Sequence, residues 1–171
     1  LHGVTASHAV SLGAQGESTQ RRTAEKLAAA GIGVVALPST NLFLQGRDQQ
    51  SRMPRGLTAL RALGDAGVTV AAGADNLQDP FNPVGRGDCL ETASLMVTAG
   101  HQLPEAALAS VSTAARRVMR RPSADLRPGS IGDLVLVPAS TVREAIAFGP
   151  AGRTVVRAGR IVADAAARTR T

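Results

Sequence analysis

The stretch Ile32-Gly33-Val34-Val35-Ala36-Leu37-Pro38 decides the fold class. Its first six positions carry no polar side chain, and a proline then stops it. A strand with one wet face alternates apolar and polar residues, whereas an unbroken apolar strand is covered on both faces, as in a parallel sheet. The same unit repeats on either side. Upstream, residues 4–10 read as a short buried strand. Glu17-Ser18-Thr19 then offers N-cap chemistry for a helix over residues 19–30, with Gly31 as its stop. Downstream, Leu57, Leu60 and Leu63 recur at helical spacing, Gly67 ends that helix, and residues 68–72 form a third apolar strand. A further helix over residues 90–100 has Asp88 as its N-cap. Strands alternating with helices predict an α/β fold with parallel strands and right-handed crossovers. Residues 39–54 read as a loop too long for a plain connection, and loops of that length are often functional.

Beyond Gly100 the pattern changes. Pro104 opens a helix over residues 105–111, a basic helix follows over residues 113–120, and Pro122 closes it. From Pro128-Gly129-Ser130 the chain reads as strands at residues 134–137, 154–157 and 160–162, the last two joined by a turn at Ala158-Gly159. The end of the chain from Asp164 is expected to fray.

Composition narrows the function classes. At 171 residues, 44% hydrophobic and 19% charged, the chain is globular and long enough to bury a core. Three Phe, with no Trp or Tyr, leave most packing to Ala, Gly and Val. There is no run of about 20 apolar residues and no signal-peptide pattern. Cys89 is the only cysteine, which excludes a disulfide framework or a Cys-based zinc site. The chain is therefore expected to be cytoplasmic, with no membrane partner. The net charge of +6 is carried by Arg, with Lys26 the only lysine. The cluster Arg117, Arg120 and Arg121 lacks the aromatic or motif support of a nucleic-acid face and reads as a solvated helix end. The chain begins at Leu1 and enters a strand almost at once, which reads as a fragment.

Two residues stand where a parallel α/β barrel builds its active site, at the C-terminal ends of strands. His8 ends the first strand and Asp75 follows the third, in Gly73-Ala74-Asp75-Asn76. Asp75 taken alone reads first as a turn residue bonding its own backbone. Together, His and Asp are the residue types of metal-assisted hydrolysis, although a catalytic metal usually takes three protein ligands. Gln45-Gly46-Arg47 offers amide and guanidinium donors that either contact a substrate or hold the long loop. Asp79, Asn82 and Asp88 read as organisers of the turn-rich loop, Cys89 as a small core residue, and His101 as an imidazole favoured at a helix C-terminus. His2 lies at the start of the chain.

Three segments carry a family resemblance: Val4-Thr5-Ala6-Ser7-His8, residues 38–47 (Pro-Ser-Thr-Asn-Leu-Phe-Leu-Gln-Gly-Arg) and residues 73–83 (Gly-Ala-Asp-Asn-Leu-Gln-Asp-Pro-Phe-Asn-Pro). In order and spacing they resemble the C-terminal part of bacterial cytosine deaminases and their close relatives in the amidohydrolase superfamily. The resemblance implies the ends of strands six, seven and eight of a TIM-like (β/α)8 barrel. Residues 1–102 would be its C-terminal β/α units, 103–128 a helical extension and 129–171 a segment of a small β-sandwich. It implies that Asp75 ligates a divalent metal, iron or zinc, and shuttles protons, and that His8 hydrogen-bonds the hydroxide or the substrate. Gln45 and Asn76 are the implied substrate contacts. Two departures stand out. The family has a second acid where this chain has Asn76, which changes the hydrogen-bond code offered to a substrate edge. The chain also contains no His-x-His and no His-x-x-Glu, the family's other ligand motifs.

The expected function is hydrolytic deamination of a pyrimidine-like ring by metal-activated water. The alternatives are another C–N hydrolase acting on a triazine or N-alkyl amide, and a truncated remnant that self-associates or binds a partner. The isolated chain is expected to be inactive, its natural complement being a missing N-terminal barrel half or a second copy.

Overall fold

The computed structural model describes residues 3–165. A parallel three-stranded sheet runs in the order β1 (Thr5–Ser7), β2 (Gly33–Ala36), β3 (Val70–Ala72). Ser7 lies beside Val35, and Val35 beside Ala71. Helix α1 (Val10–Gly13) and helix α2 (Glu17–Ala29) connect β1 to β2, and α3 (Pro38–Leu44) and α4 (Leu60–Asp65) connect β2 to β3. The alternating, parallel reading of the sequence therefore holds for this α/β unit.

The differences are local and have physical causes. The first strand ends at Ser7, not residue 10, because His8 and Ala9 take left-handed backbone angles (φ 60° and 47°) and turn the chain into α1. The expected loop over residues 39–54 begins with α3. Pro38 both ends the strand and opens the helix, since its fixed φ and missing N–H suit the first helical position.

Side chains alternate across the sheet. Val34 and Val70 pack with Leu12, Ala24, Ala59, Leu63 and Val68 under α2 and α4. Ala36 and Ala72, two residues further along the same face, meet α5 (Cys89–Thr98) through Leu90, Ala93 and Met96. Alanines at these strand positions let the helices approach closely, as the shortage of aromatics requires. Helix α6 (Pro104–Val111) adds the buried Ala107 to the same cluster, and α7 (Thr113–Val118) reaches β2 and β3. Gly33 is where α7 touches the sheet: a Cβ there would lie 2.9 Å from Val118 Cγ1.

The late strands form a separate antiparallel sheet, β4 (Leu134–Leu136), β5 (Thr154–Arg157) and β6 (Arg160–Asp164). It is the only sheet in this part of the chain among the described residues, so the structure displays a single antiparallel sheet where a sandwich segment was expected. Arg157 pairs with Arg160 across Ala158-Gly159, both at positive φ, which is the hairpin the sequence announces. Asp164 belongs to β6, with its carboxylate 3.0 Å from Thr154 Oγ1, and is not frayed; the rest of the expected frayed end, from residue 166, lies outside the described residues. Helix α8 (Val142–Phe148), absent from the sequence reading, fills the β4–β5 connection and buries Ile146 against α5 and α6. Asp133 joins the two units. It accepts from the Ala158 N–H at the hairpin turn and from Arg116 of α7, and both hold its carboxyl below the usual carboxylate range. Among the described residues, no helix is long and apolar enough to cross a membrane.

Candidate active site

The C-terminal ends of the three parallel strands form one rim. The ladder runs one residue past each outer strand: His8 N–H donates to Val35 O at 2.9 Å, and Gly73 N–H to Ala36 O at 3.0 Å. At this rim the backbone departs from ordinary geometry. His8 (φ 60°), Ala9 (φ 47°) and Asp75 (φ 65°) are non-glycine residues in the left-handed region. That conformation costs an L-residue about 1–2 kcal/mol, less for Asp and His, which are enriched there. Strain held at strand ends is the kind of outlier that marks functional positions.

Two of these strained residues, His8 and Asp75, face each other. His8 Nε2 lies 3.9 Å from Asp75 Oδ2, with 43% and 30% of the side chains exposed. The gap exceeds a hydrogen bond, and solvent reaches both groups. The other ring nitrogen, Nδ1, lies 3.0 Å from Asn41 Oδ1. Asn41 is 4% exposed and sits in the first turn of α3, its N–H bonded to Leu37 O. Its Nδ2 has no hydrogen-bond partner among the described residues, a cost of about 1–3 kcal/mol for a buried donor. Sequence reasoning missed Asn41 because its role depends on α3, which places the side chain at the rim one turn after the strand ends.

Asn76, expected at the substrate, is tied into the protein. Its N–H donates to Thr40 Oγ1 at 3.1 Å, Thr40 Oγ1 donates to its Oδ1 at 3.0 Å, and its Nδ2 donates to Asp79 Oδ2 at 2.7 Å. Thr40 and Asn82 are both buried, and Asn82 Nδ2 donates to Asn76 O. Asp79 closes the turn by accepting from the N–H groups of Phe81 and Asn82. The Asn76 amide first, then those two N–H groups, hold the Asp79 carboxyl below its usual range. An amide at position 76 thus serves a carboxylate at 79.

The far end of this loop is fixed by Asp88. Its Oδ1 caps α5 by accepting from Leu90 N–H at 2.9 Å, and Arg153 donates to both oxygens at 2.8 Å. Arg153 foremost, with the Leu90 N–H adding to it, depresses the Asp88 pKa, and the Arg153 pKa is raised in return.

The remaining candidates stand apart. Gln45 follows α3 one turn beyond Asn41, is exposed, and its side chain makes no hydrogen bond to the described residues. Arg47 stacks on Phe43 with 4.8 Å to the ring centroid, so it holds its own segment. Cys89 is exposed and not a core residue. His101 is exposed, and its Nε2 lies 2.6 Å from Arg55 Nη1, a contact in which the guanidinium donates to the imidazole nitrogen. His2 lies outside the described residues. A cleft of about 530 Å³ opens on another side of α3, walled by Phe43, Val84, Leu95, Ile146 and Phe148, and does not include His8 or Asp75.

An imidazole nitrogen and a carboxylate oxygen converging on one solvent-accessible space have the donor chemistry of a divalent-metal site. They are a partial set: among the described residues no group of three or more His, Cys, Asp or Glu could hold a metal ion.

Comparison with known proteins gives a consistent picture. The model of an amidohydrolase family matches residues 1–163. The chain is 36% identical over 165 residues to a pterin deaminase of Rhizobium rhizogenes, covering 93% of this chain and 37% of that protein. Its fold matches 5-methylcytosine deaminase from Klebsiella pneumoniae liganded with 5-fluorocytosine with a TM-score of 0.83, at 26% identity, covering 94% of this chain and 40% of that one. It matches N-isopropylammelide isopropylaminohydrolase from Burkholderia multivorans with a TM-score of 0.78, at 33% identity, covering 94% and 39%. The chain thus spans about two-fifths of the length of each relative.

Proposed function

This chain belongs to the amidohydrolase family, and from that premise we propose that it carries the strand-six to strand-eight portion of a (β/α)8 barrel that hydrolyses a C–N bond of a small heterocycle. In this reading residues 1–102 are barrel units, 103–128 a helical extension and 129–171 part of a β-sandwich, in a cytoplasmic enzyme. The observation that carries it is the convergence of His8 Nε2 and Asp75 Oδ2 at 3.9 Å on the rim of a parallel sheet. The relatives named above act on a pterin, a 5-methylcytosine and an N-isopropylammelide. The substrate class common to them is a planar nitrogen heterocycle with an exocyclic amine, free or alkylated.

Asp75 would ligate a divalent metal, iron or zinc, together with ligands outside the described residues, and the metal supplies Lewis acidity to the site. The chain's own residues do the proton work. As water adds to the ring carbon, Asp75 Oδ2 takes its proton; as the C–N bond breaks, the same proton passes to the departing nitrogen, releasing ammonia or an alkylamine. His8 Nε2 hydrogen-bonds the water or the substrate edge. The exposed side chain of Gln45, with no hydrogen bond among the described residues, is free to contact the ring. To Asn76 we assign the shape of the loop that presents Asp75, with any substrate contact secondary.

The test is a chimaera in which this chain replaces the matching region of the Rhizobium pterin deaminase, assayed for ammonia release. Activity is expected and should fall about 10²–10⁴-fold in Asp75→Asn, the range for loss of a positioned acid–base group. An Asp75→Asn chimaera as active as the parent overturns the assignment. The isolated 171-residue chain should show no turnover, and robust turnover would sink the partial-site reading.

A further inference from the structure

We propose that Asn41 is a positioning residue that holds His8 in a single tautomer, its Oδ1 taking the Nδ1 proton so that Nε2 turns a lone pair toward Asp75. The functional meaning of this inference rests on the proposed active site, but its test does not.

A neutral imidazole has one proton for two nitrogens, and the partner of one nitrogen decides the state of the other. Here the two nitrogens differ sharply. Nδ1 has an amide oxygen at 3.0 Å, within hydrogen-bond range, whereas Nε2 has the Asp75 carboxylate at 3.9 Å, outside it. The proton therefore belongs on Nδ1. The acceptor is also rigid. Asn41 is buried, as are Pro38 and Thr40 in the same turn of α3, and its backbone is closely approached by Gly56, where a Cβ would lie 2.6 Å from Asn41 O. Among the described residues its carboxamide has no other hydrogen bond, so binding Nδ1–H is its one polar contact there. The left-handed backbone of His8 fixes the ring from the other end.

The consequence is chemical. A His8 locked this way accepts at Nε2 and cannot donate. It would orient the O–H of the attacking water or an N–H on the substrate edge, and it would not polarise a carbonyl by donation. In the same state Nε2 is competent as a metal ligand, which requires a free lone pair.

The experiment is imidazole ¹H–¹⁵N correlation spectroscopy on the full chain with ¹⁵N-labelled histidine, at about pH 8, above the ordinary imidazole pKa. His2→Gln and His101→Gln variants identify the His8 signals. His8 is expected as the Nδ1–H tautomer in the parent. Asn41→Asp keeps a side-chain oxygen acceptor and should keep that tautomer, and Asn41→Ala should lose it. The inference is overturned if the parent shows Nε2–H, if Asn41→Asp switches to Nε2–H, or if a folded Asn41→Ala keeps the parent pattern. Should Asn41→Ala fail to fold, the parent and Asn41→Asp spectra still decide. An inactive chimaera with the expected tautomer would count against the proposed function alone.

Discussion

The ion pair between Asp88 and Arg153 ties the antiparallel-sheet unit to the end of the Asp75 loop, and a double-mutant cycle measures it. Asp88→Ala removes two interactions at once. Loss of the α5 N-cap costs about 1 kcal/mol. The two charge-assisted hydrogen bonds belong to a class worth about 1.5–3 kcal/mol, which we reduce to about 1–2 kcal/mol because a fifth of each side chain remains exposed and screened. The sum is about 2–3 kcal/mol, or roughly 4–12 °C in Tm at the slope expected for this chain length. Arg153→Ala loses the pair and also the bond from Nε to Pro150 O, but the latter cancels in the cycle because it is absent from both Arg153 variants. Urea unfolding of the parent, both single variants and the double variant should give a coupling energy of about 1–2 kcal/mol. The coupling must also depend on pH in one direction. The folded Asp88 pKa lies below the unfolded value of about 3.9. As pH falls the unfolded chain takes up the proton first, so the coupling is complete above that value and fades as pH drops through the folded pKa. A neutral-pH coupling under about 0.5 kcal/mol, the usual error of additivity, or one unchanged by acid, would refute the reasoning.

Three further outcomes follow from the same structure. Leu63→Ala, at a position with no exposed surface, should cost about 2–5 kcal/mol in urea unfolding; a loss below about 1 kcal/mol would mean that α4 is not packed on the sheet as described. Thr40→Val preserves shape but strips both hydrogen bonds from Asn76, and calorimetry should show a loss of about 1–3 kcal/mol, whereas an unchanged Tm would remove Thr40 from the loop's support. Gly56→Ala meets a positive φ of 64° and the Asn41 carbonyl at 2.6 Å. It should destabilise by at least about 1–2 kcal/mol and disturb the His8 imidazole signals, and a neutral effect on both would contradict the close approach.

The sequence showed the β/α alternation because that signal is local: apolar runs, helical leucine spacing and glycine stops. The Asp88 cap and the Ala158-Gly159 hairpin were equally legible, since each rests on chemistry within a few residues. Helix α8 was also signalled, by Thr141-x-x-Glu144 and Gly149. Thr141 Oγ1 accepts from Glu144 N–H, the Glu144 carboxylate returns to Ser140 N–H, and Gly149 ends the helix at positive φ. The α3 helix was obscured because Pro38 reads as a terminator as readily as a first helical residue. His8 and Asp75 were visible as strand-end residues. Asn41, the partner of His8, and Thr40, the partner of Asn76, were not, because contacts separated by 33 and 36 residues exist only once β2 lies between β1 and β3. The same cause hid the inward turn of Asn76.

The left-handed backbone at His8 and Asp75 also restricts which amino acids these positions can accept. Branched side chains such as Val, Ile and Thr fit that conformation poorly, whereas Asn, Asp, His and Gly tolerate it. If Asp75 has the role proposed for it, a randomised library at position 75 would mix two kinds of failure, chains that cannot bend there and chains that bend but cannot move a proton. Asparagine separates them, since it keeps the bend and removes the charge. A redesign of the rim for new chemistry has this short alphabet to choose from unless the strand endings themselves are rebuilt.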